Sequence, residues 1–259
     1  QDSGSGGRSS RRRERRRRDS GILAASETVE VDSSIQFSSV GGLGPQIEAL
    51  KECMLHPLLY PELYDALGVV PPRGVLLHGP PGCGKTLAAR ALAGSCRAAG
   101  LSVSFFARKG SDIQSKFVGE SEQRLCALFE AARRAAPSLI FFDELDGLAP
   151  ARSDPGVDGA SHHNSIVATL LALMDGMVSR GQVVILGATN RPDLIDSALR
   201  RPGRFDRELR FSLPGAAERL EIMELHTRQW PRHSKEPGLG GASSDVLRRL
   251  AYERTWGLS

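Results

Sequence analysis

The sequence predicts an α/β domain in which helices cover both faces of one five-stranded parallel β-sheet. Short apolar segments alternate along the chain with longer segments that carry apolar residues at helical spacing, a pattern typical of parallel sheets buried on both sides. A glycine-rich stretch, Gly79 to Thr86, stands between a predicted strand and the helix after it, and an acidic pair ends the third strand. Ligands of such sheets bind beyond the carboxyl ends of the strands, where both features fall.

Strands and helices are predicted in turn from residue 74 to residue 230. The strands are Gly74 to Leu77, Ser102 to Ala107, Leu139 to Phe142, Val183 to Gly187 and Glu208 to Leu213. The helices are Lys85 to Cys96, Ser121 to Ala135 with Ser121 as the N-cap, Asn164 to Met177, and Gly215 to Trp230. Before them, Pro45 to Leu67 has helical spacing interrupted by two prolines, which predicts two short helices beside the core.

Positive charge is concentrated at the start of the chain. Residues 1 to about 34 are rich in Ser, Gly and Arg, and we expect them to be disordered because they offer few large apolar groups to bury. The first twenty residues carry a local charge of +5, in a chain whose formal net charge is +4. The run from Arg11 to Arg18 is typical of a nuclear-import or nucleic-acid-binding segment, or of a solvated low-complexity tail.

Cysteine spacing and hydropathy exclude several classes of protein. The 4 cysteines have no CxxC or Cys/His spacing, which argues against a zinc site or a disulfide framework and fits a reducing intracellular compartment. No apolar run approaches the ~20 residues that span a bilayer, and there is no secretory signal pattern, so we predict no membrane partner. A chain that begins at Gln1 is expected to be a fragment.

The glycine-rich stretch has the spacing of a phosphate-binding loop. In such a loop, backbone N–H groups surround the α and β phosphates at the start of a helix. The residues expected to do so are Gly79, Pro80, Pro81, Gly82, Cys83 and Gly84. Lys85 is expected to neutralise the β and γ oxygens, and the Thr86 hydroxyl to ligate Mg²⁺. Cys83 is either a thiol whose alkylation blocks nucleotide binding or a small filler without a role.

The acidic pair completes a predicted site for nucleoside triphosphate hydrolysis. Asp143 and Glu144 follow the apolar run from Leu139 to Phe142. At that strand end the Asp143 carboxylate is expected to face the phosphate loop and hold the Mg²⁺ water shell, and Glu144 to polarise the attacking water. Phosphoryl transfer is catalysed mainly by positioning and by metal and cationic charge, which this set of residues provides.

Two further stretches, GATNRP (187–192) and RRPGRFDRE (200–208), follow in order, and with them the chain resembles the AAA+ ATPases from about Phe37 to Trp230. The resemblance implies an ATP-hydrolysing hexameric ring that threads or remodels protein cargo. It implies that Asn190 is sensor 1, reaching toward the γ-phosphate and the attacking water. It also implies that Arg201 and Arg204 are arginine fingers that enter the neighbouring subunit's site.

The resemblance assigns further segments. Three residues match the first pore loop, namely Lys116, Phe117 and Val118. The second pore loop would be Ser153 to His163, where His162 and His163 have no third ligand nearby to complete a metal site. Gly41 and Gly42, in the stretch SVGGL, match the adenine-side segment, although the family commonly has Asp where Ser38 or Ser39 stands here.

A finer resemblance is to the first ATPase module of the bromodomain-containing chromatin ATPases, which act on histones and nucleosomes in the nucleus. It rests on the run from Ile35 to Tyr64 and on the stretches PPRGVLLHGPPG, RKGSDIQSKFVGESE and SIVATLLALMDGM. It implies an AAA+ core over residues 35–230 and the start of a small helical lid over 231–259, with the rest of the lid and the bromodomain beyond Ser259.

Two alternatives remain open from the sequence. One is a general protein unfoldase or segregase of the same fold, acting on unrelated proteins. The other is a nucleotide-binding structural ring that the arginine tail tethers to nucleic acid. An intact Lys85, Glu144 and pair of finger arginines argue against the second, since a ring that only binds nucleotide does not need Glu144.

Overall fold

Five parallel strands form the centre of the domain in this computed structural model, which describes residues 26–32, 34–115, 119–150, 160–177, 183–228 and 244–254. The strands are β1 (Gly74–His78), β2 (Ser104–Lys109), β3 (Ser138–Asp143), β4 (Val183–Thr189) and β5 (Phe205–Arg210). Their order across the sheet is β2-β3-β4-β1-β5, and each neighbouring pair is parallel. The predicted five-stranded parallel sheet is confirmed.

Helices connect the strands and cover the sheet. They are α1 (Gly44–Leu50), α2 (His56–Leu59), α3 (Pro61–Leu67), α4 (Lys85–Ala98), α5 (Gly110–Ile113), α6 (Glu120–Arg134), α7 (Leu145–Leu148), α8 (Ala160–Asp175), α9 (Ala216–Thr227) and α10 (Ser244–Arg249). A π-helical segment, Lys51–Leu55, joins α1 to α2. The region from residue 45 to residue 67 therefore holds three short helices rather than the predicted two, because Pro61 begins a third.

The core lies in two layers, one on each face of the sheet. Successive side chains of a strand point to opposite faces, so Val75 and Leu77 of β1 pack against α4, whereas Leu76 packs on the other side with α6 and α8. The same alternation separates Phe141 from Phe142 in β3, and their rings stack on Phe105 and Phe129 respectively. The result is the three-layer α/β/α arrangement that the sequence predicts.

Residues 26–32 pack on the domain, although the sequence predicts disorder up to residue 34. The Val29 N–H donates to the Phe105 carbonyl of β2 at 2.7 Å, and Val31 is buried. The guanidinium groups of Arg97 and Arg108 donate to the carbonyl oxygens of Val31 and Glu27. The reason is that β2 is an edge strand, whose free backbone groups accept this segment. Residues 1–25, with the arginine run, lie outside the described residues.

Several predicted boundaries are displaced. Ser121 is not the N-cap of α6, because the helix begins at Glu120 after Gly119, whose φ is +80°; Ser121 is instead fully buried and its hydroxyl accepts from the Ser115 N–H at 2.9 Å. Strand β5 begins at Phe205, three residues before the predicted start, because Phe205 pairs with Gly74. The other strands and helices shift by four residues or fewer from prediction.

Helix α9 packs on residues 244–254, which follow it along the chain. The Arg219 guanidinium donates to the Ala251 carbonyl at 2.7 Å and to the Pro214 carbonyl at 2.9 Å, which ties α9 to residues 244–254. The resemblance assigns α9 to the core and residues 231–259 to the start of a lid, and the structure shows that α9 contacts the described part of the second segment. Within the described ranges, no helix has the length and apolar character needed to cross a membrane.

Candidate functional site

The phosphate loop connects β1 to α4 and has a backbone that only glycine accommodates at its start. Gly79 has φ +148°, and a Cβ there would lie 1.9 Å from the carbonyl oxygen of Phe211. Gly82 and Gly84 also have positive φ. Left-handed backbone at these positions is accessible to glycine without a steric penalty, so the loop turns sharply into the start of α4, where backbone N–H groups are free to bind an anion.

Lys85 is fixed inside this loop. Its side chain is buried, and Nζ donates to the carbonyl oxygens of Gly79 at 2.8 Å and Pro80 at 2.7 Å. Burial lowers the pKa of Lys85, while the nearby Cys83 and Asp143 act to raise it. A bound anion would favour the charged ammonium further. The loop thus holds a desolvated cation where phosphate oxygens are expected.

Thr86 and Asp143 meet at the edge of the sheet. The Thr86 hydroxyl donates to Asp143 Oδ2 at 2.8 Å, and Asp143 Oδ1 accepts from the Glu144 N–H at 3.0 Å. Hydroxyl and carboxylate oxygens are the ligands that Mg²⁺ prefers, and this ion usually takes only one or two protein ligands beside water and substrate phosphates. The pair therefore fits a Mg²⁺ ion shared with a nucleotide.

Glu144 has a strained backbone. It is the single non-glycine residue with positive φ, +54°, among the residues that the structure describes, and it caps the short helix α7 while its side chain stays exposed. A left-handed non-glycine residue costs roughly 1 kcal/mol or more and is retained where the surrounding structure holds it. Here the Asp143 carboxylate and the fully buried Leu145 hold it from both sides.

Asn190 follows β4 directly, and β4 lies between β1 and β3 in the sheet. The phosphate loop, Asn190 and the acidic pair therefore share one edge, as the sequence predicts from their positions at strand ends. Asn190 is exposed, and its side chain makes no hydrogen bond with any residue in the described part of the chain. It is free to contact a ligand at this edge.

Sequence reasoning missed one pair of residues beside this edge. The buried Thr189 hydroxyl donates to Asp146 Oδ1 at 2.7 Å and accepts from the Arg191 N–H at 2.9 Å. This bond ties α7, which follows Glu144, to the residues on both sides of Asn190. The sequence feature that could have indicated this bond is Asp146, the third acidic residue in the stretch DELD (143–146).

Gly41 and Gly42, the predicted adenine-side residues, lie against helix α9. The Gly42 N–H donates to Glu221 of α9 at 2.9 Å, and a Cβ at Gly41 would lie 3.1 Å from the Ile222 nitrogen. Leu43 reaches within 3.1 Å of the Cβ position of Gly84. The structure thus brings Gly41 and Gly42 between the phosphate loop and α9. Cys83, in the loop itself, is buried.

The two predicted fingers differ sharply. Arg204 is held within its own chain, because Nε and Nη2 donate to the two carboxylate oxygens of Asp175 at 2.8 and 2.7 Å, and Nη1 donates to the Ala198 carbonyl. Arg201 is exposed and forms no side-chain hydrogen bond or ion pair with the residues that the structure describes. Of the two, Arg201 is the one available to another molecule.

The finger loop, residues 201–204, lies at the opposite end of β1 from the phosphate loop. Gly74 at the start of β1 pairs with Phe205, whereas His78 at its end precedes the phosphate loop. At about 3.3 Å per residue, the four steps from Gly74 to His78 span ~13 Å. The structure therefore does not bring Arg201 to the edge that carries Lys85 and Glu144. Lys116, Phe117, Val118 and residues 151–159 of the predicted pore loops lie outside the described residues.

Comparison with known proteins identifies the family. The family model for "ATPase family associated with various cellular activities (AAA)" matches residues 75–213, more than half of the chain. The chain is 57% identical over 246 residues to the ATPase histone chaperone abo1 of Schizosaccharomyces pombe, covering 91% of this chain and 20% of that protein. It is 56% identical to the ATPase histone chaperone YTA7 of Saccharomyces cerevisiae and 57% identical to ATPase family AAA domain-containing protein 2 of Homo sapiens, covering 80% of this chain and 15% of each relative. The chain thus spans a fifth or less of these relatives, and it belongs to the AAA family of ATPases.

Proposed function

We propose that this chain is the ATP-hydrolysing module of a hexameric ring that remodels or threads histone-containing cargo. The observation that carries the ATPase part is the Thr86–Asp143 hydrogen bond of 2.8 Å, because it joins the phosphate loop to the acidic pair. Without that hydrogen bond, the glycine-rich loop would be an anion-binding turn with no groups for hydrolysis beside it.

Each residue at the sheet edge has a role in the proposed reaction. Lys85 neutralises the β and γ oxygens of ATP, and the backbone of residues 79–84 holds the phosphates. Glu144 polarises the attacking water and accepts its proton. Asn190 orients that water near the γ-phosphate. Thr86 and Asp143 would hold Mg²⁺, which would supply positive charge to the phosphate oxygens.

The finger position makes the proposed site a composite one. Arg201 lies at the far end of β1 from its own phosphate loop, so we assign it to the site of a neighbouring subunit, where a guanidinium stabilises the charge that develops during phosphoryl transfer. Arg204 carries the same assignment from family resemblance, although Asp175 holds it in its own chain. A site that needs its neighbour requires an assembly of subunits, and the family resemblance favours a hexamer.

Histones are the proposed cargo because two relatives of high identity are named histone chaperones. For the same reason we assign the protein to chromatin in the nucleus. Residues 116–118 would grip cargo as the first pore loop, and the arginine tail would contact nucleic acid. Core histones should then stimulate ATP turnover of the full-length protein more than a non-histone protein of similar positive charge. Equal stimulation would favour the general unfoldase.

Exchange of Glu144 for glutamine tests the ATPase assignment. We expect Glu144→Gln to bind ATP as the wild type does but to lose at least about a hundredfold in turnover, because general-base catalysis is worth that much. The measurement is phosphate release by the full-length protein, with a fluorescent ATP analogue reporting affinity. Glu130→Gln, at an exposed position on α6, is the matched control. Equal turnover of Glu144→Gln and wild type would favour a ring that only binds nucleotide.

A further inference from the structure

Helix α5 lies directly against the backbone of Glu144. Gly110, the first residue of α5, is buried, and a Cβ on it would lie 2.6 Å from the Glu144 carbonyl oxygen and 3.0 Å from the Leu148 nitrogen. Only a glycine allows two backbone segments to approach so closely. The position of α7, the helix that Glu144 caps, is therefore set by its contact with α5.

The side chain of Gln114 extends this contact. Gln114 directly follows α5, and its Nε2 donates to the Gly147 carbonyl near the end of α7. A helix of four residues cannot satisfy its last carbonyl groups internally, so Gln114 supplies a partner from outside the helix. On its other side, α7 is held by the hydrogen bond between Thr189 and Asp146. Two side chains from different elements thus fix the helix that follows Glu144.

Helix α6 holds the main chain of Gln114. Arg124 Nη1 donates to the carbonyl oxygens of Asp112 at 2.9 Å and Gln114 at 3.2 Å, and Nη2 donates to Glu120 Oε1 at 2.9 Å. A guanidinium carries five donors in a planar fork, so it can bind main-chain carbonyls and a carboxylate at the same time. The Glu120 side chain is only 4% exposed, and a buried ion pair is costly to break. Arg124 therefore fixes residue 114 where its side chain reaches α7.

The conformation of Glu144 makes this support relevant to turnover. Glu144 has φ +54°, and such a left-handed residue persists only when the surrounding structure holds it. A general base must also lie within hydrogen-bond reach of the water that it deprotonates, so a small movement of α7 would lower the rate without changing phosphate binding. We propose that Gln114 is a positioning residue for Glu144, acting through the Gly147 carbonyl and α7. The inference rests on the proposed role of Glu144 as the general base.

Exchange of Gln114 for leucine tests the proposal. Gln114→Leu keeps the approximate volume of the side chain but removes the donor, so kcat for ATP hydrolysis by the full-length protein should fall about fivefold to tenfold. KM for ATP should stay within about twofold, because Lys85 and the phosphate loop are untouched. Gln123→Leu, the same exchange at an exposed position of α6, is the matched control and should retain wild-type kcat. Gln114→Lys, which keeps an N–H donor, should recover part of the rate.

A double variant separates positioning from a general loss of structure. In the Glu144→Gln background, Gln114→Leu should change the residual rate by less than about twofold, because the carboxylate that Gln114 positions is already gone. Single-turnover phosphate release measures these slow rates. A wild-type kcat in Gln114→Leu, or an equal fall in both backgrounds, would overturn the proposal while the ATPase assignment stands. Wild-type turnover of Glu144→Gln would instead refute the proposed role of Glu144, and the inference with it.

Discussion

The two ends of the sheet are built differently. At the carboxyl end, Lys85 is bound to loop carbonyls, Thr86 to Asp143, and Thr189 to Asp146, so that edge is held together within one chain. At the amino end, Arg201 is exposed and makes no side-chain contact of this kind with the described residues. If Arg201 acts in a neighbouring subunit as we propose, nucleotide binding is a property of the single chain, whereas turnover is a property of the assembly.

Preorganisation explains why the difference matters for rate. Dipoles and charges that are already in place need no reorganisation when charge develops in the transition state. The carboxyl end provides such groups in the isolated subunit. On the proposed assignment, Arg201 provides one only after the neighbour has fixed its long, flexible side chain, which costs side-chain entropy.

Removal of the finger should have the largest effect. Arg201→Ala is expected to bind ATP with wild-type affinity and to lose about 10³-fold or more in turnover, because an arginine finger contributes that much. Phosphate release and fluorescent-nucleotide titration measure the two quantities in the full-length protein. Arg90→Ala, at an exposed arginine of α4, is the control and should retain wild-type ATP affinity and turnover.

A mixing experiment decides whether the finger acts between subunits. Lys85→Ala subunits lack a working phosphate loop but keep Arg201. Arg201→Ala subunits keep the phosphate loop but lack the finger. If the finger serves the neighbour, a mixture of the two should recover activity that neither has alone. A mixture without recovery would contradict the composite site.

Removal of the Thr189–Asp146 hydrogen bond tests the carboxyl end of the sheet. Thr189→Val keeps the volume of the side chain but leaves Asp146 Oδ1 and the Arg191 N–H without their present partner, at a cost of ~1–3 kcal/mol. We expect turnover to fall about tenfold, while ATP affinity is kept, because Asn190 next to it loses its support. The matched control is Thr169→Val on α8, whose hydroxyl bonds a helix carbonyl. Wild-type turnover of Thr189→Val would show that the bond is not needed.

Local sequence patterns were sufficient to predict which residues lie at the carboxyl end of the sheet. Lys85, Thr86 and Asp143 are predictable because a contiguous motif and a strand end specify their positions, and parallel strands bring their carboxyl ends to one edge. The Thr189–Asp146 bond was not predictable, since no motif of the sequence specifies that these two side chains meet. Likewise, no local feature distinguishes Arg201 from Arg204; the distinction comes from Asp175, on another element.

The wrong boundaries have the same origin in tertiary contacts. Five of the seven residues 26–32 are polar or charged, yet the free edge of β2 and two arginines hold the segment. Ser121 has the composition of an N-cap, but the Ser115 N–H uses its hydroxyl and Gly119 supplies the turn instead. Helix α9 likewise packs through Arg219 on residues 244–254, a contact that no local pattern of the sequence predicts.

Exchange of Asp175 is expected to have the smallest effect on turnover. It also shows whether Arg204 supports the finger loop or acts as a finger itself. Its hydrogen bonds to Arg204 lower the pKa of Asp175 and raise that of Arg204, so the pair is ionised at neutral pH. If the pair braces the finger loop, Asp175→Asn should lower turnover about threefold to tenfold, with ATP affinity unchanged and the free energy of unfolding altered by less than about 1 kcal/mol, since the carboxylate is half exposed. Asp175→Glu, which keeps the charge, should recover part of the rate. If Arg204 is itself a finger that Asp175 restrains, the asparagine variant would instead match or exceed wild-type turnover, and the two arginines would then be equivalent.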